Sequence, residues 1–264
     1  MLLAGFADQL YTQGDYQMAA LEYSRLLYQS GDTLGMPLEA LRLARCRHLT
    51  GDCSGALELY GFLAENLTDD DHRAMALLGE GAVLAEMGLY GPSAGSYGEA
   101  ASLARGDDLL FRSQLLSALA PAHEFRWEDS GRELEAIAGS WHGDRSLLAR
   151  ELSDTVYGGL ELPGRSPFWC GVASALVPGS GQMLCGHTVD GLTALGMTAA
   201  TGALFYISLE EDNLSTSILL GWLSVSFYGA NIYGGSRAAG YYNAARRREL
   251  LQEVYERLDS WEGY

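Results

Sequence analysis

Leu10–Leu27, LYTQGDYQMAALEYSRLL, has a pattern that occurs twice more in the chain, and this recurrence indicates the fold. The other copies are His48–Ala64 (HLTGDCSGALELYGFLA) and Glu86–Ala101 (EMGLYGPSAGSYGEAA). Residues of the same kind recur every 37 positions in these three copies. They are a glycine, a tyrosine and two small residues: Gly14, Gly51 and Gly88; Tyr23, Tyr60 and Tyr97; Ala7, Ala44 and Gly81; Ala19, Ala56 and Ser93. A fixed period of roughly 20 to 50 residues is typical of proteins built from stacked repeats.

Each copy has the pattern of two amphipathic helices joined by a tight turn. Apolar residues at helical spacing mark the first helix, as in Leu77, Ala82 and Ala85. The repeated glycine suits the left-handed conformation that ends a helix, and the small residue lets the second helix approach the first. We therefore expect the periodic residues to form a core, with each tyrosine packed toward the next copy.

A fourth, weaker copy follows at the same period. Ala118 holds the position of a small residue, but Phe125, Arg126 and Trp127 replace the glycine turn. Residues 146–157 then have the pattern of a closing helix, which a stack of repeats needs to cover its last apolar face.

The motif Gly14–Tyr23, GDYQMAALEY, resembles a tetratricopeptide repeat, and the resemblance covers residues 4–139. That family usually has a period of about 34 residues. The additional residues here fit into loops between repeats, such as Gln29–Pro37. The resemblance implies an α-solenoid of three to four helical pairs, which together with the closing helix forms a predicted domain 1–158. It also implies a scaffold whose concave face holds a peptide or a partner helix, and no catalysis follows from the fold.

Arginines on the polar faces of the first helices are the candidate partner-binding residues: Arg42, Arg45 and Arg73. A guanidinium binds a carboxylate through two parallel hydrogen bonds, so this set suits an acidic segment of a partner protein. The alternative is a solvated face on which the arginines pair with local glutamates.

The charge of the chain excludes some classes of partner and of site. The net charge is −17 and the isoelectric point is near 4.5, which argues against nucleic acid, whose phosphates attract basic surfaces. Residues 1–165 carry 25 acidic and 12 basic residues, giving −13, whereas residues 166–264 carry 9 and 5, giving −4. The four cysteines lack zinc-site spacing and no nucleophile, base or metal set is legible, so we expect no catalytic residue, cofactor or metal.

Charge nearly disappears after a predicted linker at 159–167. Gly191–Leu209 has 19 residues without a charge, and Leu214–Ser236 has 23. A hydrocarbon core of about 30 Å needs about 20 helical residues, so both segments are candidates to span a membrane. The sequence therefore predicts a hydrophobic transmembrane helical hairpin within a membrane domain at 168–245. A buried hairpin of a soluble bundle is the alternative.

Small residues recur at four-residue spacing in both predicted spans. In lipid such stripes let helices approach closely, which favours packing within the hairpin or between copies of the chain. The stripes are Ala194, Thr198 and Gly202 in the first span and Ser226, Ala230 and Gly234 in the second.

A glycine-rich segment, Ser174–Gly186 (SALVPGSGQMLCG), precedes the first span. It lacks the lysine of a phosphate-binding loop and the G-x-S-x-G pattern of a serine nucleophile. It resembles the P-G-x-G-Q turn of small bacterial membrane domains of the TM2 type. In this interpretation the proline ends a short helix, the glycines permit a reversal, and two polar side chains satisfy backbone groups that lipid cannot. These residues are Pro178, Gly179, Gly181, Gln182 and Ser180.

Arg246–Arg248 opens a predicted amphipathic tail helix, 246–264. Its apolar stripe either lies on the membrane surface or docks on the repeats, and consists of Leu250, Leu251, Val254, Leu258 and Trp261. The positive-inside tendency predicts that the arginines are cytoplasmic. The repeats share that side if residues 166–189 only re-enter the membrane, and they lie outside if those residues cross it. In the second case we expect a leader before the repeats, which in this sequence is either absent or reduced to Met1–Gly5.

Together these features predict a non-enzymatic, membrane-anchored scaffold that binds a protein through its repeats at the inner membrane of a bacterium. Self-association through the membrane helices is an open alternative to a monomer. The competing hypothesis is a membrane carrier or pore in which the hairpin is the active part. His187 and Asp190 are the ionisable residues near the spans that such a role would use.

Overall fold

The computed structural model describes the backbone of residues 2–260 and the side chains of residues 5–260. Within that range the chain forms thirteen α-helices and one 3₁₀ turn and has no β-strand, which confirms the all-α prediction. Trp261, assigned above to the tail stripe, lies outside the described residues.

The helices divide into two compact units. Unit 1 comprises Met1–Leu160 and Glu253–Tyr264, and unit 2 comprises Glu161–Gln252. The described helices of unit 1 are α1 (Leu2–Thr12), α2 (Tyr16–Ser30), α3 (Pro37–Leu49), α4 (Cys53–Asn66), α5 (Asp70–Glu86), α6 (Tyr90–Leu103), α7 (Asp107–His123), α8 (Trp127–Ser140) and α9 (Asp144–Tyr157). A 3₁₀ turn follows at Gly158–Glu161, and then come α10 (Pro167–Leu176), α11 (Ser180–Leu184), α12 (Thr188–Glu210) and α13 (Leu214–Asp259).

The repeated glycines end helices as the sequence predicts. Gly14, Gly51 and Gly88 have φ angles of +80°, +85° and +77°, in the left-handed region that favours glycine. At the equivalent position of the fourth copy, Phe125 adopts the same left-handed conformation, with φ of +62°. The fourth turn therefore forms without glycine, and its backbone strain falls on an aromatic residue.

The periodic tyrosines lie in the core of unit 1, as predicted. Tyr23, Tyr60 and Tyr97 are 0%, 4% and 5% exposed. A Cβ atom at Gly79 would lie 2.2 Å from the Tyr60 ring, and one at Gly81 would lie 2.5 Å from the Tyr97 ring. Glycine in α5 is thus what allows the two rings to approach that helix.

The packing order of unit 1 is regular. Each helix from α1 to α9 packs against the next one in the chain. The odd-numbered helices α3, α5, α7 and α9 also pack against one another in succession. These helices therefore share one face of unit 1.

The last turns of α13 belong to unit 1. Val254 and Leu258 are 0% and 1% exposed. The Tyr255 hydroxyl shares a hydrogen bond of 2.6 Å with Nε2 of His123 in α7. This part of the tail stripe therefore docks on the repeats, which was the second of the two predicted alternatives.

Helix α13 continues without a break from Leu214 to Asp259, so that the second predicted span and the predicted tail helix are parts of one helix. The segment between Ser236 and Arg246 contains no proline, and its alanines favour a helix. The tail predicted at 246–264 is therefore not a separate helix that begins at residue 246, because α13 continues through that position.

One helix within the described range, α12, is long and apolar enough to cross a membrane. Only 11% of its most apolar 18-residue window is buried, whereas the core helix of a soluble protein is mostly buried. Helix α13 does not reach the same threshold of apolarity, because serines, tyrosines and an asparagine in its first half lower the mean hydropathy. The predicted pair of spans is thus supported for one of its two helices.

Candidate functional site: a groove in unit 1 and a buried turn in unit 2

An open groove of about 690 Å³ lies in unit 1 among α1, α3, α4, α5 and α7. Apolar side chains such as Leu41 and Leu78 line much of it. Its polar lining consists of three arginines, one histidine, two tyrosines and two aspartates. The groove is therefore an apolar surface with a few charged and hydroxyl groups, which is the usual character of a binding site.

Two of the three predicted arginines, Arg42 and Arg45, line this groove. Arg42 donates a hydrogen bond to Asp8 Oδ1, and the same oxygen accepts the Tyr23 hydroxyl at 2.6 Å. Arg42 is half-buried and is held in place by this carboxylate. Its charge is therefore already balanced within the unit.

Arg73, the third predicted arginine, is not among the residues that line the groove. Its Nε donates to the carbonyl oxygen of Ala64 at 3.0 Å, near the end of α4, and its guanidinium lies 3.9 Å from the Asp70 carboxylate. The alternative of a local pair describes Arg73 better than a partner contact does.

Arg45 is the open cation of the groove. It is exposed, and within the described part of the chain it forms no hydrogen bond or ion pair. The hydroxyls of Tyr11 and Tyr60 in the same groove also have no hydrogen-bond partner there. Both phenols are protonated donors at neutral pH, because the usual tyrosine pKa of 10.0 is already well above 7 and burial raises it further. The groove thus offers a guanidinium and two hydroxyls that lack an acceptor.

The carboxylates of the groove already have partners. Asp71 accepts the backbone N–H of Arg105 at 2.7 Å, and Asp108 pairs with Arg145. Neither aspartate was predicted from the sequence, although both stand at the same place in two repeats, 37 positions apart. The charge of Asp108 is therefore balanced by Arg145, whereas the neutral backbone amide leaves the charge of Asp71 in place.

The glycine-rich turn of unit 2 closes on one asparagine of α13. Asn231 Oδ1 accepts the N–H of Gly179 at 2.7 Å, and its Nδ2 donates to the Ser174 carbonyl at 2.7 Å. Gln182 donates through Nε2 to the Asn231 carbonyl at 3.2 Å and accepts the Ser174 hydroxyl at 2.8 Å. The N–H of Gly181 donates to Ser174 Oγ at 3.0 Å. All five residues are buried.

Close approach explains two glycines of this turn, Gly179 between α10 and α11 and Gly181 in α11. Gly179 has a φ angle of +85°, and a Cβ atom there would lie 1.9 Å from the carbonyl oxygen of Gly191. A Cβ atom on Gly181 would lie 2.1 Å from the carbonyl oxygen of Cys170. Neither position accepts a side chain without a shift of the backbone.

The side chains of Ser174, Gln182 and Asn231 form a closed hydrogen-bond network in which each of the three has a partner. Gln182 has the role that the sequence predicts, whereas Ser174 takes the role assigned above to Ser180. Asn231 was missed. Its signal was its isolation, because it is the one side-chain amide in the uncharged segment Leu214–Ser236. The arrangement stabilises the chain reversal.

The predicted small-residue stripes differ in burial. Four of the six residues are half-buried, namely Ala194, Thr198, Gly202 and Gly234. The other two, Ser226 and Ala230, are exposed. Contacts between α12 and α13 also use residues outside the stripes. The Ser208 hydroxyl donates to Ser217 Oγ at 2.9 Å, and a Cβ atom at Gly221 would lie 2.9 Å from the Phe205 ring.

The ionisable residues that a carrier or pore would use lie at the start of α12. His187 Nδ1 is 3.5 Å from Asp190 Oδ2, and the two side chains are 43% and 72% exposed. They form an exposed local pair rather than a buried relay.

Comparison of the chain with protein-family models, with curated proteins and with solved structures found no match. What the protein does is therefore inferred from the groove, the turn and the exposed surface of unit 2.

Proposed function

We propose that this protein is a non-enzymatic scaffold, anchored in a membrane by unit 2, that binds an acidic segment of a partner protein in the groove of unit 1. In this proposal unit 1 is a tetratricopeptide-like solenoid, and α12 with the first half of α13 forms a transmembrane hairpin. The resemblance of the turn to TM2-type domains implies a bacterial inner membrane.

The exposed apolar side chains of unit 2 are the single observation that carries the anchoring. The side chains of unit 2 that are at least half exposed include Phe168, Trp169, Leu176, Leu192, Leu204, Ile218, Leu219, Trp222 and Val225. Burial of one such side chain stabilises a protein in water by about 1.5–3 kcal/mol, which each of them forgoes here. Soluble monomers rarely expose large apolar patches, whereas lipid solvates such side chains at no cost.

The unpartnered donors of the groove support the binding of an acidic segment. A carboxylate placed in the groove would accept hydrogen bonds from Arg45, Tyr11 and Tyr60, and charge-assisted bonds of this kind are about twice as strong as neutral ones. The apolar lining would bury a neighbouring apolar side chain of the same segment.

Membrane fractionation tests the anchor. The full-length protein is expected to stay with membranes after an alkaline carbonate wash and to float with phosphatidylcholine vesicles. Protease protection of a tag at each terminus then identifies the side on which unit 1 lies. Protein that is monodisperse in buffer without detergent and ignores vesicles would contradict the anchoring.

Site-specific photo-crosslinking tests the groove. Met75 lines the groove and is 40% exposed, whereas Met18 is 45% exposed and does not line it. A photoreactive amino acid at position 75 is expected to form an adduct with the partner, and the same group at position 18 is expected to form none. The variant Arg45→Gln with Tyr60→Phe should reduce the adduct. Equal adducts from the two positions would exclude the groove as the binding surface.

A further inference from the structure

Unit 2 brings together arginines that are far apart in the sequence. The backbone N–H of Arg165 donates to Asn243 Oδ1 at 2.8 Å, and Asn243 Nδ2 donates to the Arg165 carbonyl at 2.9 Å. The guanidinium groups of Arg165 and Arg246 lie 5.6 and 5.7 Å from the centre of the same ring, that of Tyr242. Two cations therefore share one tyrosine, and their mutual repulsion favours an anion close to both.

Little negative charge within unit 2 balances these cations. Arg246 pairs with Glu249 at 3.0 Å. Arg165 and Arg237 are exposed and form no ion pair with the described residues. The guanidinium of Arg237 instead lies 5.2 Å from the centre of the Tyr241 ring.

Arg237, which precedes Tyr242 by five residues in α13, lies about one bilayer thickness from the acidic loop of the same unit. Arg237 follows Leu214 by 23 residues in one unbroken helix, which is about 35 Å at 1.5 Å per residue. The loop Glu211–Asn213 directly precedes that helix. Because the hydrocarbon core is about 30 Å thick, a loop in one headgroup layer puts Arg237 in the opposite layer.

We propose that Arg165 and Arg246, with the ring of Tyr242, bind the phosphate of an anionic phospholipid headgroup. This inference rests on the proposed membrane anchoring of unit 2. Guanidinium N–H groups match phosphate oxygens in pairs, and tyrosine is enriched at membrane interfaces. A zwitterionic headgroup carries its own ammonium and leaves the two cations at Tyr242 unbalanced.

Lipid titration of the purified full-length protein in neutral detergent, followed by native mass spectrometry, tests this site. Phosphatidylglycerol is expected to bind at least about tenfold more tightly than phosphatidylcholine. The double variant Arg165→Gln with Arg246→Gln is expected to lose about 25-fold in affinity for phosphatidylglycerol, because each arginine near an anionic surface contributes roughly a fivefold factor. Arg105→Gln with Arg150→Gln, the same charge change in unit 1, is the control and should keep the preference.

A charge-preserving variant separates loss of binding from loss of fold. Arg165→Lys with Arg246→Lys is expected to retain most of the affinity that the glutamine variant loses. Equal binding of the two lipids by the unmodified protein, or an unchanged preference in the glutamine variant, would overturn the headgroup site. Displacement of the lipid by millimolar inorganic phosphate would also overturn it, because the site would then be one for free phosphate.

Flotation with phosphatidylcholine vesicles distinguishes failure of this inference from failure of the anchoring. A protein that floats but does not prefer phosphatidylglycerol keeps its anchor and has no headgroup site. A protein that floats with no vesicle has neither.

Discussion

Unit 1 and unit 2 differ in which side chains they bury. In unit 1 large apolar and aromatic side chains such as Tyr23 and Phe111 are fully buried. In unit 2 the described buried side chains are small or polar, as in Gln182 and Asn231, while large ones such as Trp222 are exposed. One chain thus contains two opposite distributions of apolar and polar groups.

The two distributions indicate that different interactions stabilise each unit. In water the burial of apolar surface is the main driving force, and unit 1 follows that rule. In lipid an apolar side chain gains nothing by burial, so helices associate through small residues and hydrogen bonds. Unit 2 has the interior expected of the second case. The following predictions test whether its stability depends on close approach and polar contacts while that of unit 1 depends on the repeat geometry.

Gly181→Ala is expected to have the largest effect. The new Cβ atom would lie 2.1 Å from the Cys170 carbonyl oxygen, so that a backbone shift is unavoidable. We expect unit 2 to lose about 3 kcal/mol in free energy of unfolding, measured by thermal unfolding in detergent. Gly196→Ala is the control, because nothing lies within 4 Å of its Cβ position, and it should be neutral or gain up to about 1 kcal/mol. Equal stability of the two variants would contradict the tight packing of the turn.

Asn231→Leu tests the polar network itself. The substitution keeps the approximate volume of the side chain but leaves the Gly179 N–H and the Ser174 carbonyl without their partners. We expect a loss of about 2 kcal/mol in the same unfolding measurement. Asn66→Leu removes one exposed hydrogen bond in unit 1 and should change stability by less than about 1 kcal/mol. A stabilising effect of Asn231→Leu would show that apolar burial governs unit 2 as well, and the comparison of the two units would fail.

Phe125→Gly tests the repeat geometry of unit 1. A left-handed conformation costs a residue with a side chain about 1–2 kcal/mol, and glycine avoids that cost but loses more entropy on folding. We expect a net gain of about 0.5 kcal/mol in the free energy of unfolding, measured by urea denaturation. Gly51→Ala is the reverse change, at a position with free space and φ of +85°, and should cost about 1 kcal/mol. A loss of stability in Phe125→Gly would mean that the contacts of the ring outweigh the strain.

The smallest expected effect is a pH dependence at the docked end of α13. Burial lowers the pKa of His123 below its usual 6.5, and the ring stacks on Tyr90 and meets the Tyr255 hydroxyl. Below pH 6.5 the unfolded chain takes up a proton that the folded state resists, so unit 1 should lose stability as the pH falls from 6.5 toward the lowered value, with the full stability present above 6.5. Urea midpoints at pH 7.5 and 5.5 should differ less in His123→Gln than in the unmodified protein. An equal difference in both would exclude His123 as the source.

Repeats and turns were predictable because their signals are local. The glycines at 37-residue spacing mark turns, because a left-handed backbone conformation depends on the type of the residue that adopts it. The structure has a turn at each of these glycines. The same period placed the fourth turn at Phe125, although its residue type argued against it. Of the candidate groove residues, Arg42 and Arg45 were identified from their helix face. The sequence could not distinguish Arg73 from these two arginines, because the hydrogen bond of Arg73 to the Ala64 carbonyl forms between two different helices.

The sequence alone indicates that the chain is helical, that its first part is built of repeats and that its second part has few charged residues. These properties are predictable because periodicity and composition depend on residues that are close together in the chain. Only the tertiary structure decided that Asn231 completes the turn, that Arg165 joins Arg246 at one ring, and that the end of α13 packs in unit 1. These contacts join residues more than fifty positions apart. Many residues of the chain are equally suitable partners for such contacts. The packing of whole helices determines which of them come together, and no local sequence pattern contains that information.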